Sequence, residues 1–553
     1  MTTGADFFVR ALESYGVTQL FGNPGTTELP LMQAVGASDV DYVLGLHEDV
    51  AVAAATGYAI TRRYDSHVDA ETCPLGVVNL HLAGGLGHGL GNLLNADFSG
   101  APLLVTAGTH HRDFQQEEPI LSGDLVSLAE QYTKWAAEVK DVAALPTMLR
   151  RAVRTALTPP TGPVFLALPV DVQQAEVDAD PQRLGPIPTA GRGDSAAIDD
   201  AAAAIASATE PVVVLGDEVA RSDGVEAAVH FAEAAGARVH GEILASEVNF
   251  PAGHEQWHGP LSTRASYTAD AMDTDTLVFV GCSTNTTVSR PTEPLVPDDA
   301  TCVHVTNDGW ELGKHAPADV AVLGDPAQVL ADLAERLDGR IDEAERARRL
   351  DAARTWGAAE SDAPTAVDGT VTKTGLARAL ARVAPDAVVV DEGITASPAL
   401  HATFPFEQTQ LVGEKGGSLG FGVGAAVGVA LAEREAGRDR PVVGYVGDGS
   451  YLYYPQALYT AVRYDLDLTV VVPDNRNYRI LKENTALLMG GRPDDYEYDG
   501  VDFDPPVDLV QSAESYGALG LRVDSANNLD ATLERALAHA GPALVDVPVT
   551  DDA

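Results

Sequence analysis

Residues 441–446, Pro-Val-Val-Gly-Tyr-Val, run directly into Gly447-Asp448-Gly449-Ser450. The run is short, apolar and rich in β-branched residues, which reads as a buried strand, and 456–464 after it reads as a helix. A second buried strand follows at 468–472. Two strands joined by a helix must lie parallel, so their C-terminal turns fall on one edge of the sheet, where open α/β sheets bind ligands. That edge receives Asp448 from one strand and Asp474-Asn475-Arg476-Asn477 from its neighbour. A carboxylate, an amide oxygen and a backbone carbonyl form a hard oxygen set suited to Mg²⁺, with phosphate oxygens completing the shell. The glycines let the backbone approach a diphosphate, and the helix start after Ser450 favours negative charge. Asp-Gly alone is also a common turn; its spacing to Asn475 and Asn477 makes the signal specific.

The same alternation of short apolar runs and helix-length segments fills the chain. Strands are expected at 17–21, 42–46, 76–80, 103–106 and 164–168, then a Pro-bearing linker at 176–194. A second unit has strands near 212–215, 277–280 and 302–305 and closes with a charged helix at 343–355. After a polar stretch at 360–369, a third unit places strands at 388–390, 442–446, 469–472 and 544–547. The fold class is α/β, with three doubly wound parallel-sheet domains at 1–178, 190–345 and 370–553. At 553 residues the chain is too long for one ordinary core. The first and third units share a layout without a residue-level repeat.

Eighty-one acidic against 36 basic residues give a net charge of −45, and only six residues are lysines. Such a surface repels nucleic acid and anionic membranes, which excludes both as partners. It is similar to the surfaces of proteins from salt-accumulating (halophilic) organisms, where screening relieves carboxylate repulsion. Cys73, Cys282 and Cys302 are too scattered for a disulfide framework or a zinc site. The first residues lack a basic and apolar leader, and the Gly- and Ala-rich run 416–432 suits a buried helix beside a cofactor better than a membrane span. A cytoplasmic location is expected.

The Gly-Asp-Gly-Ser segment followed by Asp474-Asn475-Arg476-Asn477 resembles the signature of thiamine-diphosphate (ThDP) enzymes. Their pyrimidine-binding, middle and diphosphate-binding domains occur in the order seen here, and the resemblance covers essentially the whole chain. It implies that Asp448, the Asn475 side chain and the Asn477 carbonyl hold Mg²⁺. It implies that Gly447, Gly449 and Ser450 cradle the diphosphate with help from Thr395. Leu419 would then support the bent cofactor, and the Gly417 carbonyl would accept from its 4′-amino group. Asp474 and Arg476 depart from the usual Asn and Gly. The segment 21–30, Phe-Gly-Asn-Pro-Gly-Thr-Thr-Glu-Leu-Pro, looks like the opening loop of benzoylformate decarboxylase, with Thr26 at the position of a Ser that meets substrate. Glu48, after the strand at 42–46, matches the carboxylate that touches N1′ of the aminopyrimidine and so activates the cofactor. His81 matches the decarboxylase histidine, with a role in carboxylate recognition and proton transfer. His110 and His111 do not match the paired histidines of pyruvate decarboxylase and read as structural.

Ile480 and Leu481 fall where the family lines its substrate pocket. Ile480 is bulkier than the small residue of benzoylformate decarboxylase, Glu483 and Asn484 replace an aromatic pair, and Thr287-Val288 stands near the place of a middle-domain histidine. These departures argue against an aryl substrate. The expected activity is ThDP- and Mg²⁺-dependent decarboxylation of a small or aliphatic 2-oxo acid through a C2-bound enamine. An acetolactate-synthase-like carboligase is the alternative. A non-catalytic nucleotide-binding protein is the remote one, since it leaves Glu48, His81 and the metal triplet unexplained. The middle unit has no clear FAD fingerprint, so FAD is not indicated. The resemblance further implies a homodimer or homotetramer with active sites at the subunit interface.

Overall fold

The computed structural model describes residues 2–284, 294–356 and 363–550, and Thr287 and Val288 lie outside the described residues. Three six-stranded sheets dominate the fold. The first contains Gln19–Gly22, Asp41–Leu44, Gly76–His81, Leu103–Thr109, Ala136–Glu138 and Val164–Pro169, in the spatial order second, first, third, fourth, sixth, fifth. The third contains Val388–Glu392, Leu411–Gly413, Val442–Val446, Thr469–Asp474, Leu519–Arg522 and Ala543–Pro548, in the same order. The middle sheet, of Val212–Leu215, Arg238–Gly241, Trp257–Pro260, Thr276–Val280, Thr301–Thr306 and Val320–Leu323, runs third, second, first, fourth, fifth, sixth. The chain separates into two compact units, one carrying the first sheet and the third except its edge strand Leu411–Gly413, the other carrying the middle sheet and residues 404–413.

Parallel pairing sets the positions of the chemistry. Val442–Val446 pairs in parallel with Thr469–Asp474, so Asp448 and Asn475 follow adjacent strand ends as the sequence requires. The strands expected from apolar runs are all present, within a few residues at their ends. Of those not anticipated, Val320–Leu323 is an apolar run that was passed over, and most of the others lack such runs. Ala136–Glu138 and Leu411–Gly413 are three residues long, and Arg238–Gly241 buries Arg238 and His240 where alternation would place solvent-facing groups.

The Gly- and Ala-rich run forms the buried helix Gly422–Glu435, packed on the helix Glu48–Val68. Both are apolar on nearly all sides, the mark of a core helix. Their backbones nearly touch. A Cβ at Gly428 would stand 1.8 Å from the Ala54 carbonyl oxygen, and one at Gly57 would stand 2.3 Å from that of Ala425. Interiors this dense have no room to yield, so small residues at this crossing fix the start of Glu48–Val68 and the Glu48 carboxylate with it. Among the described residues no helix is long and apolar enough to cross a membrane.

Candidate active site

On the third sheet, Asp448 begins the short helix Asp448–Tyr451 and is only 5% exposed. Asn475 and Asn477 form a tight turn: Asn475 Oδ1 accepts the Asn477 N–H at 3.1 Å, and Asn477 Nδ2 donates to the Asn475 carbonyl at 2.7 Å. The Asn477 carbonyl accepts the Arg479 N–H at 3.0 Å and retains its second lone pair. Arg476, where glycine is usual, adopts φ +58°. This left-handed backbone costs a non-glycine residue about 1–2 kcal/mol, and the Asp474 carboxylate offsets it by accepting the Arg476 N–H at 3.0 Å. The two departures in the motif thus form one local device. Asp448, Asn475, Asn477, Thr395, Leu419 and Ile480 line one cavity together with Gly447, Gly449 and Ser450. Gly449 has to be glycine, since its Cβ would lie 2.7 Å from the Tyr478 ring.

Asp448 Oδ2 and Asn477 Oδ1 are buried with no hydrogen-bond partner among the described residues. Burial, and then the nearby Asp474 carboxylate, push the Asp448 carboxyl up to about 7. Orphaned buried oxygens beside crowded carboxylates are costly in a protein alone. A hard divalent cation would satisfy the oxygens and neutralise the charge, so the donor set fits Mg²⁺.

One supporting carboxylate was not anticipated as such. Glu392, 1% exposed at the end of the first strand of this sheet, accepts the N–H groups of Gly420 (2.6 Å), Phe421 (3.2 Å) and Gly422 (2.7 Å). It ties the loop bearing Gly417 and Leu419 to the sheet. Burial pushes its carboxyl up to about 8, against the pull of those N–H groups. Gly417 has φ +79°, but it does not line the cavity with Leu419. Leu481 is 48% exposed and is likewise absent from the cavity wall that Ile480 forms.

On the first sheet, Thr26 is exposed at the start of a single turn, Thr26–Glu28, while Thr27 and Glu28 are buried. Glu28 Oε2 accepts the Gly25 N–H at 2.9 Å and lies 2.7 Å from His81 Nδ1; Oε1 accepts the Thr27 hydroxyl at 2.7 Å. A carboxylate can only accept, so this contact puts the proton on Nδ1 and leaves His81 Nε2 free for acid–base work. Gly25 lies so close that its Cβ would fall 2.3 Å from the His81 ring. Sequence reasoning passed over Glu28; its place three residues after Gly25 and ahead of an apolar helix was the available signal. Glu48, 8% exposed, begins its helix behind the cap His47, and its Oε2 lies 3.2 Å from His88 Nδ1. His110 Nε2 contacts the Ile120 carbonyl at 2.9 Å, and His111 caps the helix Arg112–Gln115, so both hold loops. Glu48, His81 and Thr26 do not line the cavity of Asp448 and Asn475.

The middle sheet has the strand order of dinucleotide-binding folds, whose crevice opens between its first and fourth strands. That crevice is acidic here. Gly216 is followed by buried Asp217 and Glu218. Asp217 accepts from Ser246 and Asn249, and Glu218 accepts from Thr306 and Asn307. A Cβ at Gly216 would lie 2.7 Å from Glu242 Oε1. These carboxylates are engaged by protein donors, and Arg221 lies 3.6 Å from Asp217 Oδ2.

Three family descriptions match in the order of the sheets. The N-terminal TPP binding domain of thiamine pyrophosphate enzymes matches residues 2–133, the central domain 198–333 and the C-terminal TPP binding domain 396–547. The chain is 30% identical over 544 residues to benzoylformate decarboxylase of Pseudomonas aeruginosa, covering 97% of each chain. It is 27% identical to the acetolactate synthase isozyme 3 large subunit of Escherichia coli, covering 100% of this chain and 95% of that one. Among solved structures, the 4-hydroxybenzoylformate decarboxylase of Rhodococcus jostii is similar with a TM-score of 0.88 at 29% identity, over 99% of each chain. With two sheets of like order before and after a third along the chain, and with these matches over its length, the chain belongs to the thiamine pyrophosphate enzyme family.

Proposed function

We propose that the protein is a cytoplasmic, Mg²⁺-dependent decarboxylase of a small or aliphatic 2-oxo acid, working as a homodimer or homotetramer. The observation that carries the metal is the pair of orphaned oxygens, Asp448 Oδ2 and Asn477 Oδ1, on residues that line one cavity with Thr395 and Ser450. Asp448, Asn475 and Asn477 would hold Mg²⁺, and Leu419 would support the cofactor from below. When bound, thiamine diphosphate supplies the electron sink that 2-oxo acid decarboxylation needs. Glu48 then holds a proton against the aminopyrimidine N1′, and its near-complete burial keeps water from competing for that proton. His81, oriented through Nδ1 by Glu28, offers Nε2 for recognising the substrate carboxylate and moving a proton, while Thr26 meets substrate from its exposed turn. Ile480 narrows the cavity against a ring-sized substituent.

A carboligase like acetolactate synthase would use the same machinery up to the release of CO₂. Incubation at high salt with ThDP, Mg²⁺ and a panel of 2-oxo acids, followed by product analysis, tests the assignment. Aldehydes from short aliphatic acids are expected. Turnover of arylglyoxylates alone overturns the substrate class, and acyloin or acetohydroxy-acid products overturn the decarboxylase reading.

A further inference from the structure

Glu48 does not stand alone at the head of its helix. His88, the last residue of the helix Leu82–His88, places Nδ1 3.2 Å from Glu48 Oε2. The Glu48 side chain is 11% exposed and that of His88 63%. A carboxylate has no proton to give, so Nδ1 carries the hydrogen and Nε2 of the neutral ring is a bare acceptor. Oε1 lies on the other side of the carboxylate, against Gly85, where a Cβ would approach it to 3.0 Å. Beside the imidazole, Gly87 has nothing within 4 Å of where its own Cβ would stand, so this edge is open in the chain. The groups facing the pair are the His47 ring, stacked on His88 at 5.3 Å, then Asp49, with Tyr454 against His47 at 4.6 Å and Tyr42 near Glu48.

A metal site is the other use of such a cluster, since the ligating atoms of His47, Glu48 and His88 lie within 4.8 Å of one another. His47 does not suit it. Its Nδ1 accepts the Asp49 N–H at 3.1 Å, and burial lowers its basicity, so the ring is neutral with its proton on Nε2. No lone pair remains there for a metal.

We propose that His88 is a positioning residue and proton relay for Glu48, connecting a mostly buried carboxylate to the solvent. The inference rests on the reading of Glu48 as the N1′ carboxylate. In the inward step a solvent proton bonds to Nε2, the Nδ1–H bond breaks, and that proton joins Oε2. The protonated carboxyl then turns about its Cγ–Cδ bond so that the hydrogen carried on Oε2 faces its partner and is given up there, and the reverse order discharges it. The charge taken up at Nε2 leaves at Nδ1, so the ring is neutral before and after.

Two measurements test this, one without the cofactor. In protein free of ThDP, ¹⁵N shifts of the His88 ring should show the Nδ1–H tautomer, the minor form of free histidine, and Glu48→Ala should abolish that preference. A tautomer that Glu48→Ala does not change overturns the contact. With ThDP bound, C2–H exchange in His88→Ala should fall about tenfold, less than the roughly 10²–10⁴-fold expected for a group that transfers the proton itself. Added imidazole should restore it in proportion to concentration. His88→Asn retains a donor toward Oε2 but cannot relay, and it should be as slow as His88→Ala. Normal exchange in His88→Asn, or no rescue by imidazole, overturns the relay while leaving Glu48 in place. Fast exchange in Glu48→Gln instead overturns the reading of Glu48 itself.

Discussion

The first and third sheets share one strand order, yet their C-terminal edges carry different electrostatics. At the third sheet, Asp448 and Asp474 are buried close together and Asp448 Oδ2 has no donor. At the first sheet, two buried carboxylates have imidazoles, Glu28 with His81 and Glu48 with His88, while buried Asp49 accepts the Asn92 N–H. One edge is a hollow with two close carboxylates, lined also by Lys373 and Arg479, whose orphaned oxygen a cation would complete, and the other pairs carboxylates with imidazoles and is set up to move protons. The same scaffold serves both because the last residues of the strands and the turns after them supply the charges. Glu48, His81 and Thr26 do not line the cavity of Asp448 and Asn475, which agrees with the proposal that the sites form between copies.

The comparison breaks most visibly at Asp448. Asp448→Ala should remove Mg²⁺-dependent ThDP binding, a loss beyond the roughly 10–100-fold seen when only an outer partner of a metal is removed. Titration calorimetry with and without Mg²⁺ measures it, and near-native affinity would sink the metal assignment. Glu48→Gln should do the reverse. Cofactor binding should weaken only modestly, while C2–H exchange and kcat fall by roughly 10²–10⁴-fold for loss of an acid–base group. His81→Ala sharpens the contrast, because exchange should stay near normal while the steps after substrate entry slow. Equal losses of exchange in both variants would show that the two imidazole–carboxylate pairs are not functionally distinct.

Ile480 tests the hollow for shape instead of charge. Ile480→Ala should shift relative kcat/KM toward larger 2-oxo acids by roughly 10–200-fold, the span for a hydrophobic-pocket change. An unchanged substrate ratio would mean that Ile480 lines the cavity without meeting substrate.

Much of this was legible in the residues. Apolar runs ending in glycine turns located every long parallel strand, and the spacing from Asp448 to Asn477 predicted adjacent strand ends. What escaped was mostly what lacks a local pattern. Short edge strands such as Ala136–Glu138 are held by their neighbours, with no apolar run of their own. Glu28 and Glu392 look like ordinary charges in sequence, because their partners lie 53 and about 30 residues away. The pairing of Glu48 with His88 spans 40 residues and depends on where the Leu82–His88 helix ends. Arg476 was the converse case. It broke the motif in sequence, and the Asp474 carboxylate supplies the compensation.

The smallest expected effect concerns the carboxyl that supports the hollow. Glu392 sits deeper than Asp448 and has three N–H donors but no cation partner among the contacts described for it. Its carboxyl is raised from an ordinary 4.5 to about 8 by burial. The unfolded chain therefore releases this proton near pH 4.5 and the folded chain near pH 8. Between those values the folded state binds more protons, so this group's contribution to stability falls as pH rises, by at most about 1.4 kcal/mol per pH unit. Glu392→Gln cannot titrate, and its amide NH₂ meets N–H groups that need an acceptor, so the variant should be less stable throughout. The gap should be widest near pH 5 and narrow toward pH 8, because only the wild type loses stability from this carboxyl over that range. Denaturant unfolding of both proteins at a series of pH values, at constant salt, measures the gap directly. A gap constant with pH would mean that Glu392 is already ionised in the folded state, held by its three N–H groups. The close carboxylates of the third-sheet edge would then extend one layer below Asp448, and the contrast with the imidazole-paired carboxylates of the first-sheet edge would be larger than drawn.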